Sequence, residues 1–256
     1  MGTALNMKSY TVFKREILSY IFSPALYATL ALWCLLSGYF FYTDVIYFNW
    51  INIASPTSLA AGIFNFYFND LRFILIFVLP LITMRLFAEE KKSGTIELIT
   101  TYPVRDLEII GGKFVSSLCI LLMILMLSFL PVLYLGFIWG FSELLTVLAG
   151  FLGLFLLGSS LISCGMFVSS LTENQFIAGL CTIALFVFFW FLTWNEMIAD
   201  ANTINILIRF SLFDRVNNLF RGIIDLKQIV FFILFNWLFL FLTLQVLQSR
   251  EWKGAK

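Results

Sequence analysis

Hydrophobic and polar positions divide the chain into long apolar runs separated by shorter polar segments. Six runs are long enough, with their flanks, to cross the hydrocarbon core of a membrane as helices. They cover residues 25–41, 73–87, 114–138, 144–171, 176–194 and 229–246. We interpret residues 43–70 as a loop whose aromatic side chains suit the membrane interface. The pattern predicts an all-α, polytopic membrane protein with six transmembrane helices, in a single domain over residues 1–256.

Two further segments have helical periodicity but are too polar to cross a membrane. Residues 8–22 place apolar positions on one face with charges between them, which indicates an amphipathic helix in the membrane interface. A polar extension of the first span is the alternative. Residues 202–223 have a similar period and predict one or two amphipathic helices before the sixth span, held against the membrane or against the spans.

The fourth apolar run, residues 144–171, differs from the others in its content of small residues. It contains four glycines and several serines. Small residues allow helix backbones to approach closely inside a membrane, so we expect this run to pack at the centre of the helices. A substrate-lining role for its serines is the alternative.

The most polar segment, residues 84–113, lies between the second and third apolar runs. It holds ten of the chain's 31 charged residues, 16 of which are basic and 15 acidic. Gly94 permits a sharp exit from the second span, Thr95 offers a helix N-cap, and Pro103 stops the helix that follows. The spacing predicts a short helix over 95–102 that contacts a soluble protein. A solvated loop with no partner is the alternative.

The candidate docking surface in this segment combines a small apolar anchor with flanking charges. An acidic residue beside the anchor is placed to meet a basic residue of the partner. We define residues 84–94 as the stem. Within it, Glu89-Glu90 and Lys91-Lys92 are expected to form short-range pairs, each worth under about 1 kcal/mol when exposed. The surface comprises Glu89, Glu90, Gly94, Thr95, Ile96, Glu97, Leu98, Ile99 and Pro103, with Ile96, Leu98 and Ile99 as its anchor.

Composition excludes several classes of function. The chain is 61% hydrophobic and 12% charged, against roughly 25% charged in a soluble domain. It has no histidine and only four widely spaced cysteines, so no metal site is expected. A net charge of +1 provides no footprint for nucleic acid. Acidic residues fall almost wholly outside the predicted spans, which disfavours an ion-coupled carrier.

The distribution of Lys and Arg in short loops predicts the orientation. With the N-terminus inside, eleven basic residues lie on the inner side and five on the outer side. The inner ones are Lys8, Lys14, Arg15, Arg85, Lys91, Lys92, Arg105, Lys113, Arg250, Lys253 and Lys256; the outer ones are Arg72, Arg209, Arg215, Arg221 and Lys227. Both termini and the polar segment are therefore expected in the cytoplasm.

The chain lacks the elements of an ATPase. No phosphate-binding loop of the form G-x-x-x-x-G-K-[ST] occurs, because the stretch 111–114 lacks both the upstream glycine and the hydroxyl residue. No catalytic set of nucleophile, base and acid is visible either. We therefore predict that the chain is not an enzyme and binds no cofactor of its own. ATP and magnesium would belong to a separate ATPase subunit.

Short motifs along the chain are similar, in order and spacing, to those of one transporter family. In the polar segment they are Arg85, Glu89-Glu90, Gly94-Thr95, Glu97-Leu98, Pro103 and Gly112-Lys113. Elsewhere they are Phe13-Lys14-Arg15-Glu16, Ser23-Pro24, the stretch from Ser169 to Gln175, and Arg221-Gly222-Ile223-Ile224-Asp225. On these residues the chain resembles type-2 permeases of ATP-binding-cassette (ABC) transporters, and among them the gliding-motility-associated branch.

The resemblance implies a permease subunit in a bacterial inner (cytoplasmic) membrane. It implies an export pathway between two permease copies or homologues, driven by two ABC ATPase subunits, and in this branch a partner with a large extracytoplasmic domain. Residues 95–102 would then be the cytoplasmic coupling helix, and Leu212, Val216 and Phe220 are candidates for an extracytoplasmic gate. A membrane scaffold or anchor of an envelope complex, without transport, is the alternative.

Overall fold

The computed structural model of the protein describes residues 2–54, 60–94, 106–139, 144–194 and 211–254. These residues form helices and turns with no β-strand among them, so the prediction of an all-α membrane protein is confirmed. The helices are α1 (Gly2–Ile21), α2 (Pro24–Ala54), α3 (Asn65–Thr83), α4 (Ala88–Lys92), α5 (Asp106–Trp139), α6 (Leu144–Leu171), α7 (Gln175–Trp194), α8 (Leu212–Phe220) and α9 (Leu226–Gly254), and a π-helical turn at Ala60–Phe64 precedes α3.

Five helical stretches in the described part of the chain are long and apolar enough to cross a membrane. They are Pro24–Trp50, Gly62–Lys92, Asp106–Phe137, Leu144–Leu171 and Leu226–Ser249. The apolar part of α7, Gln175–Phe191, is shorter. The structure thus supports a multi-pass membrane protein with about five spans on this criterion, against the six that the sequence predicts.

The interpretation of residues 43–70 as a loop is wrong for most of its length. Helix α2 continues to Ala54, the π-helical turn begins at Ala60, and α3 follows. No proline or glycine occurs between residues 39 and 54, so nothing in the sequence stops the helix. Asp44 consequently lies inside a candidate span and is only 7% exposed. The statement that acidic residues lie outside the spans does not hold for this residue.

Helix α6 is the centre of the fold, and its glycines set how closely the other helices approach. It packs against α3, α5, α7, α8 and α9. Phe68 lies against Gly150, Leu121 against Gly158 and Thr83 against Gly165. Four of the serines of α6 donate hydrogen bonds to carbonyls of the same helix. Close packing is thus the role that these contacts show for the small residues of α6.

The direction of the helices shows how the chain crosses the bundle. Helices α6 and α9 run parallel, because Thr146 lies beside Gly222, Asn236 donates to Ser159 Oγ at 2.9 Å and the rings of Phe167 and Phe239 are 5.9 Å apart. Between two parallel helices the chain must return across the bundle. Helix α7 makes this return: it runs antiparallel to α3, because Trp190 lies beside Phe73 and Gly179 beside Met84. We call the end of the bundle where the stem lies the loop end, and the opposite end the α8 end.

Candidate functional site

The predicted coupling helix is known here only through the chain on either side of it. Residues 95–102, together with Pro103, lie outside the described residues, and the helix there stays a prediction. What the structure describes is how the two ends of this segment are held. One end is the stem, residues 84–94, and the other is the beginning of α5 at Asp106.

Gly94 redirects the chain at the end of the stem. Helix α4 ends at Lys92, and the amide of Gly94 donates to the carbonyl of Lys91 at 3.2 Å. Gly94 itself has φ of 70°, in the left-handed region that residues with a Cβ rarely adopt. The chain therefore leaves the helix in a conformation that favours glycine at this position.

A serine from α6 caps the stem helix. The residue before α4, Phe87, has no side-chain cap of its own. Ser169 Oγ instead accepts hydrogen bonds from the amides of Phe87 and Ala88, both at 3.1 Å, and donates to the carbonyl of Met84 at 3.2 Å. One hydroxyl thus satisfies three backbone groups of the turn between α3 and α4. The stem is thereby bonded to the end of the central helix.

A buried ion triad joins the stem to α1 and α5. Lys113 Nζ lies 2.7 Å from Glu90 Oε1 and 3.2 Å from Glu16 Oε1. The lysine side chain is 2% exposed and the two carboxylates 16% and 13%. Lys113 also lies over the ring of Phe87, 5.3 Å from its centroid. Because Glu90 precedes the undescribed segment and Lys113 follows it, this contact ties the two sides of that segment together.

The expectation of exposed short-range pairs in the stem is corrected by these contacts. Glu90 pairs with Lys113, and the Lys91 ammonium donates to the carbonyl of Ser170 on α6. Helix α4 packs against the spans, and charges removed from water there take partners from neighbouring helices. The sequence signal that pointed to Lys113 was its place in the Gly112-Lys113 motif at the start of an apolar run.

The junction between α1 and α2 makes further polar contacts with the stem region. Arg85 Nη1 donates to Ser23 Oγ at 3.0 Å, and the Tyr20 hydroxyl donates to the carbonyl of Ile82 at 3.4 Å. Burial raises the pKa of Tyr20 above its usual value, so the phenol stays a neutral donor. A cavity of about 290 Å³ lies between α1 and the stem. The prediction that residues 8–22 form a helix agrees with α1, Gly2–Ile21, which packs on α5 beside the stem.

The gate candidates lie at the α8 end and are buried. Leu212, Val216 and Phe220 have no exposed surface and pack in the core. The ring of Phe220 stacks on Phe68, with centroids 5.2 Å apart. The sequence left open whether the amphipathic segment lies against the membrane or against the spans, and α8 lies against the spans. Residues 202–210 of this segment lie outside the described part. The gate candidates and the stem are at opposite ends of the bundle.

An arginine of α3 anchors this buried helix. Arg72 Nη1 donates to the carbonyl of Phe213 at 3.1 Å and to Asn217 Oδ1 at 2.7 Å. Ser211 Oγ accepts the amide of Asp214 at 3.2 Å and caps the start of α8. Gly222, with φ of 80°, turns the chain after its end. The sequence reasoning counted Arg72 only as an outer charge and missed this contact.

Comparison with models of protein families gives a match over most of the chain. The family model described as "ABC-2 family transporter protein" matches residues 10–209, more than three quarters of the chain. The matched part includes the stem, the undescribed polar segment and the central helix α6. No curated protein matches the chain.

Proposed function

The chain belongs to the ABC-2 transporter family, and from this we propose that it exports its substrate as half of a permease dimer driven by a separate ABC ATPase. As a family member with several apolar helices, it is a multi-pass transmembrane permease. The observation that carries the proposal is the family match, which includes the polar segment 84–113. Buried contacts hold the two sides of this segment together. ATP and magnesium would bind the ATPase, in which case this chain carries no catalytic residue.

The stem contacts support a path for coupling. In the proposal, residues 95–102 dock into the ATPase as a coupling helix. A force on that helix reaches Glu90 on one side and Lys113 on the other, which are already joined. Ser169 passes the movement to the end of α6, the helix against which most of the bundle packs. Packed side chains and hydrogen bonds of this kind carry coupling between distant sites.

The opposite end of α6 provides the proposed outlet. Val216 and Leu219 of α8 lie against Gly153, so a shift of α6 moves the helix that carries the gate candidates. The pathway itself would form between two permease copies. A partner with a large extracytoplasmic domain, as in the gliding-motility-associated branch, would contact this side.

We expect six spans, with both termini and the stem in the cytoplasm of a bacterial inner membrane. Helix α7 adds one span to the five counted above, because its 20 residues reach about 30 Å and α6 and α9 run parallel. Single cysteines at Ser93 and Asn202, in a background without the four native cysteines, should react with an impermeant thiol reagent from opposite sides. Reaction of both sites from the same side would contradict this topology.

Leu98→Asp is expected to abolish association with the ATPase. The proposed anchor is apolar, and a carboxylate in an apolar groove must be desolvated without a partner. Gly94→Pro should disrupt the loop, since proline cannot adopt the positive φ of Gly94. Glu97→Ala should weaken coupling less, because an exposed ion pair is worth under about 1 kcal/mol. The measurements are pull-down of an ABC ATPase co-expressed with this chain and substrate-stimulated ATP hydrolysis in lipid.

The control is Leu226→Asp, which adds the same charge at an exposed leucine of the α8 end and should leave ATPase binding unchanged. Normal binding and normal stimulation in Leu98→Asp would rule out this segment as the coupling element. Failure of the wild-type chain to retain any ATPase would instead favour a scaffold without transport.

A further inference from the structure

The cavity between α1 and the stem is not explained by coupling to an ATPase. It has a volume of about 290 Å³ and is lined by side chains from α1, from the α1–α2 junction and from the stem. Pockets for small ligands range over about 300–1,000 Å³. The cavity is therefore matched to a small polar group rather than to a whole lipid or nucleotide.

Arg85 defines the chemistry that the cavity is able to bind. Its Nη1 donates to Ser23 Oγ at 3.0 Å, whereas its Nε is buried and has no hydrogen-bond partner among the described residues. A buried cationic donor without an acceptor is unfavourable. Ser23, which accepts from the arginine, keeps its own hydroxyl proton to donate. Both groups therefore call for an anionic acceptor, and the planar guanidinium suits phosphate oxygens in particular.

The cavity has a balanced set of charges, and two of its cations lie outside the ion triad. Its lining contains three basic and three acidic side chains. The ammonium of Lys113 is already bound by Glu16 and Glu90. The charges not in this triad are the two arginines, Arg15 and Arg85, and one exposed carboxylate. The two arginines are therefore the cations of the cavity that are placed to meet a phosphate.

The surface beside the cavity indicates where the phosphate comes from. Leu18, Ile21 and Phe22, at the end of α1, are exposed, and Phe22 is 80% exposed. An amphipathic helix with exposed apolar residues and neighbouring basic ones lies at the boundary between head groups and acyl chains. We propose that the cavity binds the phosphate of a membrane phospholipid head group, held by Arg85 and Ser23. The proposal does not depend on the identity of the ATPase or the substrate.

The test measures binding of the first phospholipid to the purified full-length chain. Native mass spectrometry of the delipidated protein, titrated with phosphatidylglycerol, should show one tight site. Arg85→Gln should weaken this site about tenfold, the effect of losing one charge-assisted hydrogen bond, and Ser23→Ala severalfold. Arg221→Gln removes an exposed arginine at the α8 end and should leave the affinity unchanged. Equal first-site affinity in Ser23→Ala, Arg85→Gln and the wild type would overturn the proposal.

Two further arms separate the possible sources of the ligand. Diacylglycerol, which has the same chains without a phosphate, should not occupy the site, and equal binding of this lipid would also overturn the proposal. Inorganic phosphate in excess should not displace the phospholipid. Its displacement of the lipid would show that the cavity takes phosphate from water, and the assignment to a membrane lipid would be wrong. If Arg85→Gln fails to fold, Arg15→Gln and Ser23→Ala decide the outcome in its place.

Discussion

Lys113→Met is expected to lower the free energy of unfolding by about 3 kcal/mol, the lower end of the range for breaking a buried ion pair. The lysine side chain is 2% exposed, and it is shared by Glu16 and Glu90. Without it, two nearly buried carboxylates repel each other and lose the cation that lies within hydrogen-bond distance of both. Because the two carboxylates keep some contact with water, we expect the loss of stability to lie at the lower end of that range. Chemical or thermal unfolding in mild detergent, followed by circular dichroism, measures it.

The matched controls separate the triad from the general effect of losing a lysine. Lys92→Met removes an exposed lysine from the same stem and should change stability little. The triple variant Glu16→Gln, Glu90→Gln and Lys113→Met removes all three charges and should recover most of the loss, because no buried charge is left unpaired. Wild-type stability in Lys113→Met would show that the triad does not hold α1, the stem and α5 together.

Gly165→Leu is expected to disrupt the packing of α3 on α6. Overpacked cores typically lose about 1–3 kcal/mol of unfolding free energy, and we expect a loss at or above the upper part of this range. A Cβ at Gly165 would collide with the side chain of Thr83, which is fully buried and donates to the carbonyl of Leu79 at 3.1 Å. The larger side chain forces the two helices apart at the loop end. The hydrogen bonds of Ser169 to the stem, one turn further along α6, should weaken as well.

Gly38→Leu is the control for this change, since it alters a helical glycine in a span where a Cβ meets no atom within 4 Å. It should express and unfold like the wild type, whereas Gly165→Leu should give a lower yield of monodisperse protein and a lower unfolding temperature. Equal behaviour of the two variants would mean that the close approach of α3 to α6 is not required for the fold.

The long apolar runs were sufficient to predict the helices that make up the bundle. In 144–171 the predicted bounds and the helix α6 coincide, because turn residues and polar residues mark both ends. In α2 they do not, since tyrosine and tryptophan suit both an interface loop and a helix surface. Composition could not distinguish a loop from a helix here, and only the absence of proline and glycine over residues 39–54 signalled that the helix continues.

The candidate site shows the same division. The charge of residues 84–113 and the glycine at 94 can be recognised in the sequence, because each acts over a few neighbouring residues. The partners of those charges are not local. Glu16 is 97 positions from Lys113, and Ser169 is 82 from Phe87. Neither pairing leaves a periodic trace in the sequence.

The amphipathic pattern of α8 likewise predicts that one face of the helix is buried, but not whether lipid or other helices bury it. Membrane lipid and the sides of other helices are equally apolar, so periodicity alone cannot choose between them. The chain itself thus specifies its helices, its membrane location and the polar segment that leaves the bundle. The packing of α6 against its neighbours decides which charges meet and where α8 lies. These contacts join helices that are far apart in the sequence, so they depend on how closely the folded helices approach each other.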